Sequence, residues 1–179
     1  MPSPAEQEAT ALPILIRPAT PDDLPAINEI YNYYVINSTA SYQLEPEPLD
    51  SRHAWFAQRS AAYPVTVAQV DGQVVGWGAL SPFHRRPAYA HTVENSLYVA
   101  AGRHRCGIGA ALLADLIRRA ALLDHHTIVA LIDADQTASV ALHLKFGFDK
   151  VGHLRQVGHK FGRWLDVIYM QLLLTHEPR

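Results

Sequence analysis

At 179 residues with 49% apolar side chains, the sequence is long enough for one folded unit with its own core. Fifteen Lys and Arg against seventeen Asp and Glu leave a net charge of −2, which gives no polyanion-binding signal and argues against a nucleic-acid partner. A single cysteine rules out an internal disulfide framework and points to a reducing, cytoplasmic setting, and no apolar run reaches the roughly 18 residues a membrane-spanning helix needs. "MPSPAEQEATALP" has neither a basic leading region nor an apolar stretch, so residues 1–12 read as a tail and 13–176 as a single domain. "ILIRP" (14–18) reads as a strand. A helix is expected next, with Thr20 as N-cap, Pro21 at the first helical position, and Leu24, Ile27, Ile30, Tyr31 and Tyr34 at helical spacing. "EPEPLD" is a loop, and "SRHAWFAQRSAA" (51–62) a second helix anchored by Trp55 and Phe56.

The period then changes. "VTVAQVDGQVVGWGAL" (65–80) is two strand-like runs around Asp71-Gly72, a hairpin signal. A proline-bounded loop (81–89) leads to a strand over 91–99. A glycine turn opens a helix whose stripe is Leu112, Leu113, Leu116, Ile117, Ala120 and Leu123. "TIVALI" (127–132) is a buried strand, 137–146 a short helix stopped by Gly147, and "FDKVGHL" and "WLDVIYMQLLL" two final strands paired antiparallel. Residues 91–132 make one β-α-β unit, whose strands must be parallel with a right-handed crossover. The result is an α/β chain with a mixed sheet and helices on its faces.

The glycine turn, "RHRCGIGAALL" (103–113), is the first candidate site. A strand that runs into glycines opening a helix aims several backbone N–H groups outward, and these donors with the helix dipole favour phosphate oxygens. Arg103 and Arg105 add charge. A tight strand-to-helix connection without a ligand fits the turn equally well. A P-loop needs Gly-Lys-Ser/Thr, which is missing, and a dinucleotide fingerprint needs a small residue where Leu112 stands.

"LYVAAGRHRCGIGAALL" resembles the acetyl-CoA pyrophosphate loop of the GNAT N-acetyltransferases, Q/R-x-x-G-x-G/A, with Gly107 and Gly109 matching and His104 at the Gln/Arg position. "DQTASVALHLKFGF" resembles the second signature of that superfamily, N-x-x-S-x-x-L-x-x-x-x-G-F, with Gln136 at the Asn position. Three longer stretches, "IRPATPDDLPAINEIYNYYVINSTASY", "SPFHRRPAYAHTVENSLYV" and "GHKFGRWLDVIYMQ", resemble the phosphinothricin and methionine sulfoximine or sulfone N-acetyltransferases.

The resemblance implies the GNAT fold, a mostly antiparallel twisted sheet with helices on both faces. It also implies acetyl-CoA as co-substrate without a metal, a small amino acid analogue as acceptor and a homodimer. Acetylation of another amine, or acyl-CoA binding without turnover, are the alternatives. Direct attack by an amine needs a base, because the amine is mostly protonated near neutral pH. Glu94 is the candidate base: a carboxylate inside an otherwise uncharged strand is costly unless used or solvated. A solvent-facing edge position is the other reading. The resemblance places Asn95 and Ser96 beside it as substrate contacts, although strand neighbours face opposite ways, so Glu94 and Asn95 share a site only through a bulge or a backbone contact.

The resemblance further implies that the backbones of Leu97, Tyr98 and Val99 hold the acyl arm, with an N–H, that of Val99, at the oxyanion. Arg105, Cys106, Gly107, Ile108, Gly109 and Ala110 would cradle the pyrophosphate, and Gln136 would bond the pantetheine. His143 stands where many relatives carry a tyrosine that protonates the leaving thiolate; a packing or cofactor-contact role is the alternative. Arg85 and Arg86, with His84, suit an anionic group on the acceptor, or else form a solvated basic loop. Tyr34, Phe83, Tyr89 and Trp164 either wall the pocket or belong to the core.

Overall fold

A computed structural model describes residues 13–174; the expected tail at 1–12 and residues 175 and 176 lie outside them. The chain begins with β1 (Leu15–Pro18) and a single 3-10 turn (Pro21–Asp23), then α1 (Leu24–Asn37), α2 (Leu49–Ala57), β2 (Val65–Val70) and β3 (Gln73–Pro82). A 3-10 turn at Pro87–Tyr89 precedes β4 (Thr92–Val99), α3 (Ile108–Leu122), β5 (Thr127–Asp133), α4 (Thr137–Lys145), β6 (Asp149–Lys160) and β7 (Arg163–Leu173). The strands form one seven-stranded sheet in the order β1-β2-β3-β4-β5-β7-β6. Every neighbouring pair is antiparallel except β4 and β5, the pair the crossover rule makes parallel.

Three boundaries differ from expectation. The first helix opens as a 3-10 turn because Pro25 has no N–H to give to Pro21; the Leu24 N–H bonds the Pro21 carbonyl instead. Asp23 closes that turn, accepting from the Thr20 amide (2.8 Å) and the Arg17 guanidinium (2.7 Å). The second helix starts at Leu49 and ends at Ala57, and Arg59 beyond it donates to the Tyr63 carbonyl (3.1 Å). β6 runs to Lys160, far past the expected 154, because a bulge between Leu154 and Gly158, with Gln156 at φ 55°, hides its alternation.

Two apolar layers cover the sheet. α3 and α4 bury Leu113, Leu116, Ala120 and Val140 against Ile128, Ala130 and Met170 on one face. α1 buries Leu24, Ile27, Ile30 and Tyr34 against Val67 and Trp77 on the other. Of the expected α3 stripe only Leu123 is out of place, at the exposed C-cap. A truncation such as Leu116→Ala inside this layer removes about 2–5 kcal/mol.

Candidate active site

The parallel pair is where the sheet opens. β4 meets β5 only at Thr92, Val93 and Glu94, while it stays paired with β3 as far as Val99. Ala100 donates to Val75 (2.8 Å) and Phe83 to the Thr92 carbonyl (3.3 Å), so the hydrogen-bonded rungs to β3 fall at Thr92, Glu94, Ser96 and Tyr98. The main chain of Leu97 and Val99 therefore turns toward the gap, while that of Tyr98, expected to hold an acyl arm, is taken up by Trp77. The Tyr34 hydroxyl donates to the Val99 carbonyl (2.5 Å), leaving the Val99 N–H and both Leu97 groups facing the opening. Since the single Tyr34 proton is spent there, its contact with His104 (3.2 Å) must come from a protonated Nε2. The residue that departs from the Gln/Arg pattern thus braces the wall of the gap.

The glycine turn stands at the far end. Arg105 (φ 60°) and Gly107 (φ 81°) are both left-handed, and Gly107 is the N-cap of α3. The first helical bond is from Ala111 to Gly107 (3.0 Å), so the amides of Ile108, Gly109 and Ala110 precede it and point out of the helix end. Arg103, Arg105, Gly107, Gly109 and Ala110 border the cleft. The Ile108 side chain is buried beneath the sheet, and the exposed Cys106 thiol turns to the His104 carbonyl (3.5 Å). Gln136, expected to bond the pantetheine, borders the cleft, and its side-chain amide nitrogen donates to Thr39 Oγ1 (3.2 Å) and Ser38 Oγ (3.4 Å).

The strand period separates the candidate chemistry onto two faces. Glu94, Ser96 and Tyr98 share the α1 face; Asn95, Leu97 and Val99 share the face of α3 and α4, and no bulge interrupts β4. Asn95 is therefore not beside Glu94. Its Nδ2 meets His143 Nε2 (3.0 Å), and its Oδ1 is buried with no hydrogen-bond partner among the described residues. His143 Nδ1 bonds the Ser139 carbonyl (2.8 Å), which can only accept, so the ring proton sits on Nδ1 and Nε2 accepts. Burial pushes the His143 pKa down, which favours the neutral ring, the form in which Nε2 accepts. Burial pushes the Glu94 carboxyl above the usual carboxylate range.

The cleft has a volume of about 410 Å³ and runs from the glycine turn to Ser96, Asp133 and His143, with Tyr34 on one wall. Glu94 lies just beyond its lining, two residues along the strand from Ser96 on the same face. His84, Arg85 and Arg86 do not reach it. They are exposed on the β3–β4 loop, where His84 Nδ1 accepts from the Arg86 N–H (3.2 Å) and its ring meets Tyr89 at 5.0 Å. Tyr89 is exposed and Trp164 more so, and neither borders the cleft. Asp133, which sequence reasoning passed over as the end of an apolar strand, is a buried carboxylate at the rim that accepts from Thr39 Oγ1 (2.9 Å) and Tyr42 OH (2.8 Å). Among the described residues no three His, Cys, Asp or Glu side chains are grouped to hold a metal.

A split strand pair with free main-chain groups, facing a helix N-terminus across a narrow cleft, is a built receptor for an extended anionic ligand. Comparison with known proteins agrees. The Acetyltransferase (GNAT) family profile matches residues 27–148. The L-methionine sulfoximine/L-methionine sulfone acetyltransferase of Pseudomonas aeruginosa is 42% identical over 161 residues, 89% of this chain and 94% of that protein. Among solved structures, a ribosomal-protein-alanine N-acetyltransferase from Brucella melitensis is 45% identical with a TM-score of 0.87, covering 89% of this chain and 99% of that one. A phosphinothricin acetyltransferase from Sinorhizobium meliloti, solved in complex with acetyl-CoA, is 36% identical with a TM-score of 0.87 over 90% of this chain and 88% of that one. Fold, cleft and relatives converge: this chain is an acetyltransferase belonging to the GNAT family.

Proposed function

We infer that the protein transfers the acetyl group of acetyl-CoA to the amino group of a small amino acid analogue of the methionine sulfoximine, methionine sulfone or phosphinothricin type. The observation that carries this reading is the opening between β4 and β5, with anion-seeking amides at one end and a carboxylate of raised pKa beside the other. The residues present fit acetyl-CoA. The amides of Ile108, Gly109 and Ala110 with Arg103 and Arg105 would hold its diphosphate, and the Leu97 groups would pair with its pantetheine amides, leaving the Val99 N–H for the acetyl oxygen. Asn95 Oδ1, buried at the same wall with no hydrogen-bond partner among the described residues, can accept an N–H. When bound, acetyl-CoA supplies an activated thioester.

Everything else falls to this chain. Glu94 takes a proton from the incoming ammonium, directly or through a water, on the α1 face. As the new C–N bond forms and the C–S bond breaks, the nitrogen loses its second proton, and the departing thiolate takes one up through water. The Val99 N–H is positioned to stabilise a developing negative charge on oxygen, a donor of a kind typically worth about 3 kcal/mol. His143 serves as a cofactor-side contact that orients Asn95 rather than as an acid. Arg85 and Arg86 supply positive charge on the loop that joins the strand ends nearest Glu94, where Pro82 opposes Val93. No helix among the described residues is long and apolar enough to cross a membrane. A cytoplasmic homodimer is what the likeness to the phosphinothricin and methionine sulfoximine acetyltransferases leads us to propose.

The test is a panel of amines at fixed acetyl-CoA with free thiol as readout: methionine sulfone, methionine sulfoximine, phosphinothricin, spermidine and a peptide N-terminus. Turnover is expected with the first three. Thiol release with the peptide or spermidine alone overturns the acceptor assignment.

A further inference from the structure

Two of the signature stretches, "NSTASY" (37–42) and "GHKFGRW" (158–164), have no part in the transfer chemistry, yet the structure brings them together. Lys160 is 4% exposed, and its ammonium donates to the carbonyls of Ser38 (2.8 Å) and Ser41 (2.6 Å). No carboxylate pairs with it among the described residues. A buried ammonium is expensive, and a methionine would fill the space without that cost, so the charge is kept for these two carbonyls. Gly158 adds a second constraint. A Cβ there would stand 2.4 Å from Tyr42 Cε2, so glycine is what lets the Tyr42 ring sit this close to β6. The same loop is held from the cleft side by Thr39 and Tyr42 on Asp133 and by Gln136 on Thr39.

The loop so fixed is a wall of the cleft. Ala40 and Asp133 border the cavity, and the Ala40 carbonyl accepts from Tyr98 OH at 3.5 Å. It stands on the Glu94 face: Tyr98 and Trp77 pack there with α1, and Asp133 shares its β5 face with Val129, the partner of Glu94. The glycine turn and the Asn95–His143 pair lie on the opposite side. Resting on the acetyltransferase reading, we propose that Lys160 and Gly158 are positioning residues for the acceptor: the β6–β7 hairpin sets the height of loop 38–42 and so the size of the acceptor half of the cleft.

The test uses the full chain with Lys160→Met and Gly158→Ala, each checked for folding by thermal melting. The expected result is a rise of about five- to tenfold in KM for methionine sulfone, with kcat and the KM for acetyl-CoA within about twofold of the parent. Hydrogen exchange should quicken at the amides of residues 39–42 and stay unchanged in α3. Unchanged acceptor KM in both variants, or an equal rise in the KM for acetyl-CoA, overturns the proposal. If the parent enzyme acetylates none of methionine sulfone, methionine sulfoximine and phosphinothricin, the acceptor assignment fails by itself. Exchange then decides the clamp: unaltered protection at 39–42 overturns it, and faster exchange confined there supports it.

Discussion

Glu94 and His143 show how one strand period divides chemistry between two environments. Both are largely removed from water, and burial acts on each in the direction of neutrality, up for the carboxyl and down for the imidazole. As a base, Glu94 works only when ionised, so the rate should climb with pH through a value above the ordinary carboxylate range. Glu94→Gln should lower kcat by about 10²-fold at neutral pH, with the deficit shrinking at high pH as free amine accumulates; pH–rate profiles of both enzymes check this. His143 acts on stability. Its pKa is lower in the folded than in the unfolded chain, so its contribution is complete above the unfolded value of about 6.5 and declines as pH falls below it. Urea melts of His143→Gln should therefore lose less stability than the parent between neutral and mildly acid pH. The sequence singles out Glu94 because a charge stands out in a β-rich run, and the structure adds its burial and its face. The partnership of Asn95 with His143 was not, since it joins residues on separate elements. The bonds from Gln136 to Ser38 and Thr39 were hidden for the same reason, since both partners lie far upstream.

At the scale of elements, turns decide both what can bind and what could be read. Gly107 caps α3 at φ 81°, a conformation that costs an L-residue about 1 kcal/mol or more. Gly107→Ala should twist the first amides of α3 away from their common target and weaken CoA binding about tenfold, measured by calorimetric titration, while the buried stripe of α3 keeps the helix intact. Two hairpins carry the same left-handed pair: Asp71 and Gly72 at φ 50° and 76°, and Phe161 and Gly162 at φ 52° and 72°. The first is announced by Asp-Gly. The second hides behind a phenylalanine, a residue rarely left-handed, and behind the bulge that breaks the alternation of β6. The extended second arm of the sheet and the clamp on loop 38–42 stayed out of reach with it.

Across the whole molecule, the crossover rule gave the one parallel pair, but strand order could not be read from local pattern. It depends on which apolar faces meet in space, and the insertion of β7 between β5 and β6 leaves no mark on any single segment. The cleft joins β4, α3, β5 and α4, so a ligand that fills it ties the two halves of the sheet. Acetyl-CoA at about one hundred times its Kd should add about 2.7 kcal/mol of stability and raise Tm by roughly 5–10 °C, read by differential scanning fluorimetry. The splayed pair has a further consequence. Unpaired main-chain groups usually belong to the outer rim of a sheet, where they invite other chains to aggregate; here they sit in the middle, with helices walling the approach. Only a slender guest with amide-like groups spaced along its length can take the place of the missing strand, so the architecture sorts molecules by outline before any side chain reads their chemistry.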